Sequence, residues 1–140
     1  MEKTKKLELR DICIGDYIQI PCPPEDRYIA PVQVARIGCD GEVIVKSPIV
    51  DLLFKTNIGV VYAVPVREDT LVYIGFKSQE NGTYKFEDTI EYNPENNSFL
   101  INCEDNRHVL VRVDNIHELQ HRLHQENISN DLTQCILPED

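Results

Sequence analysis

The residues best placed to do chemistry in this sequence are two histidines and a glutamate in the stretch HELQH. On a helix, His117 and His121 lie on one face because they are one turn apart, so both imidazoles can reach one metal ion. Glu118 would then polarise a metal-bound water, which is the arrangement of zinc hydrolases. His124 follows on the same flank. The pattern raises zinc-dependent hydrolysis as a hypothesis, with Glu118 as the catalytic residue, His117 and His121 as metal ligands and His124 as a further candidate ligand.

A catalytic zinc site needs a third protein ligand, and the sequence after His121 offers no evident one. The H-x-x-G-x-x-H continuation is absent. Glu126 follows His121 too closely to come from a second helix, and Glu139 lies in a polar tail. We therefore expect no metal and no cofactor. Zinc hydrolysis is kept as an alternative, and so is regulatory metal binding.

Glu118 also has a simpler structural role. Asn115 lies three residues before it, which predicts an N-cap with a capping box at the start of a helix over residues 115–126. A helical wheel places the histidines at the boundary of one apolar face, where one edge of each ring meets water. That face consists of Val113, Ile116, Leu119 and Leu123. We predict a structural helix that contains no catalytic residue.

Length and charge limit the function classes. The chain has 140 residues, of which 41% are hydrophobic and 27% charged, as in an ordinary globular protein. We predict a single domain over 1–140 with flexible ends at 1–6 and 130–140. No run is long and apolar enough for a membrane span or a leader peptide, so we expect a cytoplasmic protein without membrane contact.

The formal net charge of -10 repels nucleic-acid phosphates, so we expect no nucleic-acid partner. The expected partner is another protein, and the oligomeric state is left open. An acidic mimic of DNA, which would block a DNA-binding enzyme, is a further alternative.

The cysteines indicate a reducing compartment. They are odd in number and form no C-x-x-C pair, which disfavours a zinc ribbon or a redox motif. We predict that all are reduced and that they serve as small buried hydrophobic residues. They are Cys13, Cys22, Cys39, Cys103 and Cys135.

The N-terminal part carries strand and turn signals. Residues 7–20 alternate apolar and polar side chains around a Gly-Asp dipeptide, which predicts strand, turn and strand. Asp40 and Gly41 predict a type I′ hairpin turn, because glycine accepts the positive φ that this turn requires. Residues 42–46 are the predicted return strand. We expect a curled, SH3-like β-subdomain over 7–46.

The middle of the chain is less regular. Residues 51–55 are predicted as a short helical turn, and the β-branched run at 59–66 as a strand. A short helix over 67–75 is expected to begin at Asp69 or Thr70 as its cap.

A second antiparallel sheet follows in the sequence, with Asn-Pro and Asn-Asn turn signals between its strands. Its last strand, 107–113, is predicted to bury Val109, Val111 and Val113, and the helix over 115–126 is expected to close this sheet. The predicted class is a mostly-β α+β fold, with an SH3-like N-terminal sheet, a second antiparallel sheet and a C-terminal helix.

Two stretches, AVPVREDTLVYIGF at 63–76 and VLVRVDNIHELQHRL at 109–123, carry a resemblance. They are similar to short uncharacterised proteins of Bacteroides-type gut bacteria and their phages. The N-terminal third is similar only in IGDYI and in the run from Val34 to Ile37. The resemblance implies a gene of phage or mobile-element origin, and it carries over no catalytic residue. It also implies that His-Glu-Leu-Gln is the recurring unit, which favours a packing or interaction role. The leading hypothesis is a small non-enzymatic accessory or protein-interaction module.

Overall fold

The structure is a computed structural model that describes residues 5–22, 27–28, 31–47, 52–103, 106–128 and 132. Two compact units divide the chain: Met1–Val64 together with Asn115–Asp140, and Pro65–Asp114 between them. The predicted class, a mostly-β α+β fold with two antiparallel sheets and a C-terminal helix, is confirmed. The expectation that residues 1–140 form a single domain stays a prediction.

The strands of the described residues, in chain order, are β1 (Tyr17–Gln19), β2 (Pro21–Cys22), β3 (Arg27–Tyr28), β4 (Val32–Ile37), β5 (Glu42–Lys46), β6 (Leu53–Asn57), β7 (Tyr62–Ala63), β8 (Lys77–Ser78), β9 (Tyr84–Phe86), β10 (Ile90–Asn93), β11 (Ser98–Asn102) and β12 (His108–Val111). The helices are α1 (Glu68–Tyr73) and α2 (Ile116–Gln125). Short 3₁₀ turns occupy Leu9–Asp11, Cys39–Gly41 and Ile58–Val60.

The first unit contains a five-stranded antiparallel sheet in the order β6-β5-β4-β1-β7. The predicted hairpin turn between β4 and β5 is confirmed, since Asp40 (φ 57°) and Gly41 (φ 81°) both adopt left-handed backbone conformations. A Cβ at Gly41 would also lie 2.9 Å from Ile58 Cγ2, so the position excludes other residues by conformation and by space. The return strand over 42–46 is confirmed as β5.

One face of this sheet forms a hydrophobic core. Alternate residues of β4 and β5 point into it, which is the period-2 pattern of a half-buried sheet. Its buried members are Leu7, Ile12, Ile18, Val32, Val34, Val43, Val45, Val61 and Ala63. The sheet therefore extends beyond the predicted subdomain over 7–46, because β6 and β7 complete it.

The predicted strand at the start of 7–20 is wrong. Leu9–Asp11 form a 3₁₀ turn instead, because Glu8 and Asp11 cap each other's backbone N–H groups. The predicted flexibility of 1–6 stays a prediction, and at the described end of this range the Ala63 N–H donates to the Lys5 carbonyl (2.8 Å) and Lys6 bridges to Tyr62. Residues 1–4 lie outside the described residues.

The predicted helical turn at 51–55 is also wrong, because β6 pairs along its whole length with β5. Residue 51 lies outside the described residues. The β-run at 59–66 forms only the two-residue strand β7. Its beginning is a 3₁₀ turn, in which the Asn57 side chain accepts the Gly59 N–H at 2.9 Å.

The second unit is a five-stranded antiparallel sheet in the order β12-β11-β10-β9-β8, preceded by α1. Its core is aromatic: Phe76 packs on Phe86 and Phe99, with ring centroids 5.4 and 6.2 Å apart, and Tyr92 lies 4.7 Å from Phe99. The predicted helix over 67–75 is confirmed as α1. Its N-cap is Arg67 and not the predicted Asp69 or Thr70, which lie inside the helix.

The alternation predicted for β12 is correct, but the burial is not complete. Val109, Val111 and Val113 are half-buried, and Leu110 on the opposite face is 64% exposed. These valines are only half-buried because β12 is an edge strand, so a neighbouring strand covers its side chains from one side only.

The predicted C-terminal helix is confirmed as α2, but it belongs to the unit of the first sheet and does not close the second one as expected. The Ile116 N–H donates to the Val64 carbonyl at 2.8 Å, and α2 packs on β1. Its fully buried residues are Ile116, Leu119, Gln120 and Leu123. Leu132, in the tail predicted to be flexible, is also fully buried, while the rest of 130–140 lies outside the described residues.

Leu119→Ala should reduce the free energy of unfolding by about 2–5 kcal/mol, because it opens a cavity at a fully buried site. Leu110→Ala is the matched control, since its side chain is 64% exposed, and it should change the free energy by under about 0.5 kcal/mol. Chemical denaturation measures both. Equal midpoints for Leu119→Ala and Leu110→Ala would contradict the assigned buried face of α2.

Candidate functional site

The candidate site begins at a tight turn before β1. Asp16 ends this turn with a carboxylate that is fully buried. Its Oδ2 accepts the Cys13 N–H at 2.8 Å, and its own N–H donates to the Cys13 carbonyl at 3.1 Å. Gly15 lies between them at φ 99°, a conformation that glycine adopts without strain. The side chain and the backbone of Asp16 therefore both hold the turn closed through hydrogen bonds to Cys13.

Helix α2 brings His121 to the same carboxylate. His121 Nε2 donates to Asp16 Oδ2 at 2.6 Å, a contact between residues 105 positions apart in the chain. The Asp16 side chain has no exposed area, and that of His121 is 29% exposed. This hydrogen bond, together with the charge of Asp16, raises the pKa of His121. The pair is therefore a partly buried histidine–carboxylate ion pair.

Gln120 fixes the turn against the helix. Its Oε1 accepts the Tyr17 N–H at 2.8 Å, and its Nε2 donates to the carbonyls of Gly15 (2.8 Å) and Leu132 (2.5 Å). Gln33 from β4 donates to the same Gly15 carbonyl at 3.0 Å. These bonds specify one position of the turn relative to α2. In any other position, buried polar groups would lose their hydrogen-bond partners without gaining water in their place.

His117 is the second histidine of HELQH, and it is buried, with 3% of its surface exposed. This corrects the expectation of a boundary residue with one edge in water. Its ring stands edge-on to His121, with centroids 5.4 Å apart. Burial lowers the pKa of His117, so its neutral form is favoured.

The structure does not assemble the hydrolase arrangement in the part of the chain that it describes. Glu118 Oε1 accepts a hydrogen bond from Asn115 Nδ2 at 2.8 Å, and His124 is exposed. Asn115 is the N-cap as predicted, but its side chain caps no backbone N–H, so the capping box is replaced by this side-chain contact.

Among the described residues, the metal-ligand types that converge are instead Cys13, Asp16 and His121, with donor atoms all within 4.8 Å of one another. We call these three residues the Asp16 cluster. Only His121 belongs to HELQH. Cys13 and Asp16 could not be found from local spacing, because the other donor is 105 positions away.

A cysteine, a histidine and an aspartate also suggest nucleophilic catalysis by a thiolate. Desolvation and the neighbouring Asp16 carboxylate raise the pKa of the Cys13 thiol. A reactive cysteine needs the opposite shift, since the thiolate is the nucleophile. The raised pKa therefore disfavours nucleophilic catalysis by Cys13.

The cysteines depart in part from the prediction of buried, inert residues. Cys103 is buried, but Cys13 and Cys39 are exposed, and none of the three is in a disulfide. The side chains of Cys22 and Cys135 lie outside the described residues.

A second feature is the outer edge of the first sheet. Strand β6 is an edge strand, and apolar side chains cluster at its start. Leu52 is 63% exposed, and Leu53 and Phe54 are each 38% exposed. We call this stretch, residues 52–57, the β6 edge.

Comparison with protein-family models, with curated proteins and with solved structures gives no match for this chain. Neither helix in the described residues is long and apolar enough to cross a membrane.

Gln120→Ala removes three buried hydrogen bonds. At about 0.5–1.5 kcal/mol each, their loss should lower the free energy of unfolding by about 2–4 kcal/mol. Gln19→Ala is the matched control, because Gln19 is also buried and donates one bond, to the Ala63 carbonyl. Urea denaturation should show a clearly smaller loss for the control. Equal losses would contradict the role assigned to Gln120.

His117 and His121 should titrate on opposite sides of the ordinary histidine pKa of about 6.5. The raised pKa of His121 stabilises the fold below the unfolded-state pKa, and this contribution is lost as pH rises through the folded-state pKa. The lowered pKa of His117 acts oppositely, so its contribution is lost as pH falls from the unfolded-state pKa through the folded-state pKa.

Histidine NMR titration in the presence of a chelator measures both values. Asp16→Asn should lower the pKa of His121, because it removes the carboxylate that accepts the His121 hydrogen bond. A His121 pKa that is insensitive to Asp16→Asn would show that the ion pair is wrongly assigned.

Proposed function

We propose that this protein is a small non-enzymatic accessory module that binds another protein along the β6 edge. The observation that carries the proposal is an edge strand with exposed apolar side chains. Such strands offer unpaired backbone groups to an extended segment of a partner, which adds as a further strand.

The pairing of β6 leaves one side for such a strand. β6 pairs with β5 from Glu42↔Asn57 to Lys46↔Leu53, and its other side pairs with no strand among the described residues. Backbone hydrogen bonds to an added strand would provide affinity, and the side chains beside them would provide selectivity.

The side chains of the β6 edge favour an apolar contact. Phe54 is directly opposite Val45 and shares its face, so it extends the buried face of the sheet to the rim. Leu53, opposite Lys46, lies on the other face. An added strand would cover part of both side chains, and each apolar Å² removed from water contributes about 25 cal/mol.

The charge of the chain favours a basic partner. Two copies would each bring a net charge of -10 to the contact and would repel each other. Within the strand, Lys55 lies 3.8 Å from Glu42, so its charge is balanced locally. A partner segment that alternates apolar and basic residues therefore matches the edge better than a second copy does.

Other parts of this proposal rest on the sequence. A cytoplasmic location, a phage or mobile-element origin and an SH3-like character of the first sheet are inferred from composition, resemblance and turn pattern. The zinc-hydrolase alternative has less support, because Glu118 is engaged by Asn115 and His117 is buried. The DNA-mimic alternative stays a prediction.

An amide-resolved NMR titration with two extended peptides tests the β6 edge. One peptide alternates valine and lysine, and the other alternates valine and glutamate. The cationic peptide should shift the amides of β6 and β5. It should bind at least about tenfold more tightly than the acidic one, which corresponds to about 1.4 kcal/mol.

Phe54→Ser should weaken cationic-peptide binding, because it removes the apolar contact at the rim. Val72→Ser is the matched control, since Val72 is 52% exposed on α1 in the other unit. Shifts confined to β12 around Leu110, or no shifts with either peptide, would overturn the assignment.

A further inference from the structure

The Asp16 cluster combines three donor types that metal-binding proteins use. It contains a thiol sulfur, a carboxylate oxygen and an imidazole nitrogen, all within 4.8 Å of one another. The donors come from two distant segments, since Cys13 and Asp16 belong to one turn and His121 to α2. The spacing of HELQH suggested a metal on the helix alone, whereas the geometry links one of its histidines to the turn.

We propose that Cys13, Asp16 and His121 form a binding site for a zinc-class divalent cation. This site differs from the arrangement suggested by HELQH, because it uses neither His117 nor His124 as a ligand. It also reverses our expectation of a chain without metal. That expectation rested on the sequence after His121, whereas Cys13 and Asp16 precede it by more than 100 residues.

An orphaned atom points to a ligand at this place. Asp16 Oδ1 is buried and accepts no hydrogen bond among the described residues, while Oδ2 of the same carboxylate accepts two. A buried carboxylate oxygen without a partner is unfavourable, and such atoms call for an ion or a water. A cation coordinated by Oδ1 would compensate this atom and leave the hydrogen bond from the Cys13 N–H to Oδ2 in place.

The distances are close to those of a bound ion. Zinc bonds of about 2.0–2.3 Å place tetrahedral ligands roughly 3.3–3.7 Å apart. Donor atoms within 4.8 Å must therefore approach by at most about 1.5 Å. Cys13 is exposed, so a change of its χ1 rotamer can move Sγ without displacing the core.

The support around the cluster is already rigid. Gln120 bonds the residues on either side of Asp16, at the Gly15 carbonyl and the Tyr17 N–H. The ring of His117 packs edge-on against His121 and limits its rotation. Binding would therefore order few additional groups, because both the turn and the helix are held in the absence of an ion.

The donor set selects the class of metal. One sulfur and one imidazole suit zinc and cobalt, whereas calcium and magnesium prefer sites made only of oxygen ligands. Binding displaces the Cys13 thiol proton and a proton of His121 to solvent, since the ligands are the thiolate and the neutral imidazole. The exposure of Cys13 leaves a fourth position that water can fill, as in open zinc sites.

Titration of the chelator-stripped full chain, made without a histidine tag, tests the proposal. Co²⁺ should bind one ion per chain and give a thiolate-to-cobalt charge-transfer band in the near ultraviolet, and Zn²⁺ should displace it. Cys13→Ser should abolish the band and weaken zinc binding by more than about tenfold, because even outer-shell partners of metals carry effects of this size. His121→Gln should weaken zinc binding comparably.

Two matched variants are the controls. Cys39→Ser removes the second exposed thiol among the described residues, and His124→Ala removes an exposed histidine of α2. Both should keep the band and the wild-type affinity. The proposal is overturned by the absence of a band at stoichiometric Co²⁺, by a band that persists in Cys13→Ser, or by zinc affinity unchanged in His121→Gln. Because Cys13 is exposed, the Cys13→Ser variant should keep the fold.

Discussion

The first unit depends on one buried amide. Gln120 has no exposed surface, and its side chain holds the Gly15 carbonyl, the Tyr17 N–H and the Leu132 carbonyl at once. These contacts join segments that are up to 105 positions apart. Because the amide is cut off from water, the loss of one contact is not replaced by solvent. The turn before β1, the helix α2 and Leu132 thus all share hydrogen bonds with this one side chain.

The chemistry of the protein follows from that constraint. Once the turn is fixed against α2, the Asp16 carboxylate faces His121, and Cys13 lies beside both. The same region buries Asp16, and one of its carboxylate oxygens, Oδ1, has no hydrogen-bond partner in the described part of the chain. The HELQH stretch therefore has a divided role. Leu119 and Gln120 build the core, while His121 serves the cluster. The β6 edge lies in the same unit but depends on other contacts, those with β5.

Local signals predicted the parts of the fold that local physics decides. The hairpin at Asp40 and Gly41 followed from backbone conformation, and α2 followed from its cap and apolar face. The failures occurred where partners distant in the chain decide. The stretch at 51–55 became a strand because β5 pairs with it. The Asp16 cluster was not predictable from spacing, since its members meet only after the turn has docked on α2. The two residues that we propose as further zinc ligands lie far upstream of His121, so the sequence downstream of it could not indicate them.

The central claim is that Gln120 fixes the turn to the helix, and hydrogen exchange of the Tyr17 amide tests it most directly. This N–H donates to Gln120 Oε1 at 2.8 Å. In the wild type it should exchange only through global unfolding, at the same rate as the slowest core amides. In Gln120→Ala it should exchange faster through a local opening, while the amides of β5 keep exchanging together with the core. Two results would contradict the claim. One is fast exchange of the Tyr17 amide in the wild type. The other is that, in Gln120→Ala, the Tyr17 amide and the amides of β5 become faster by the same factor.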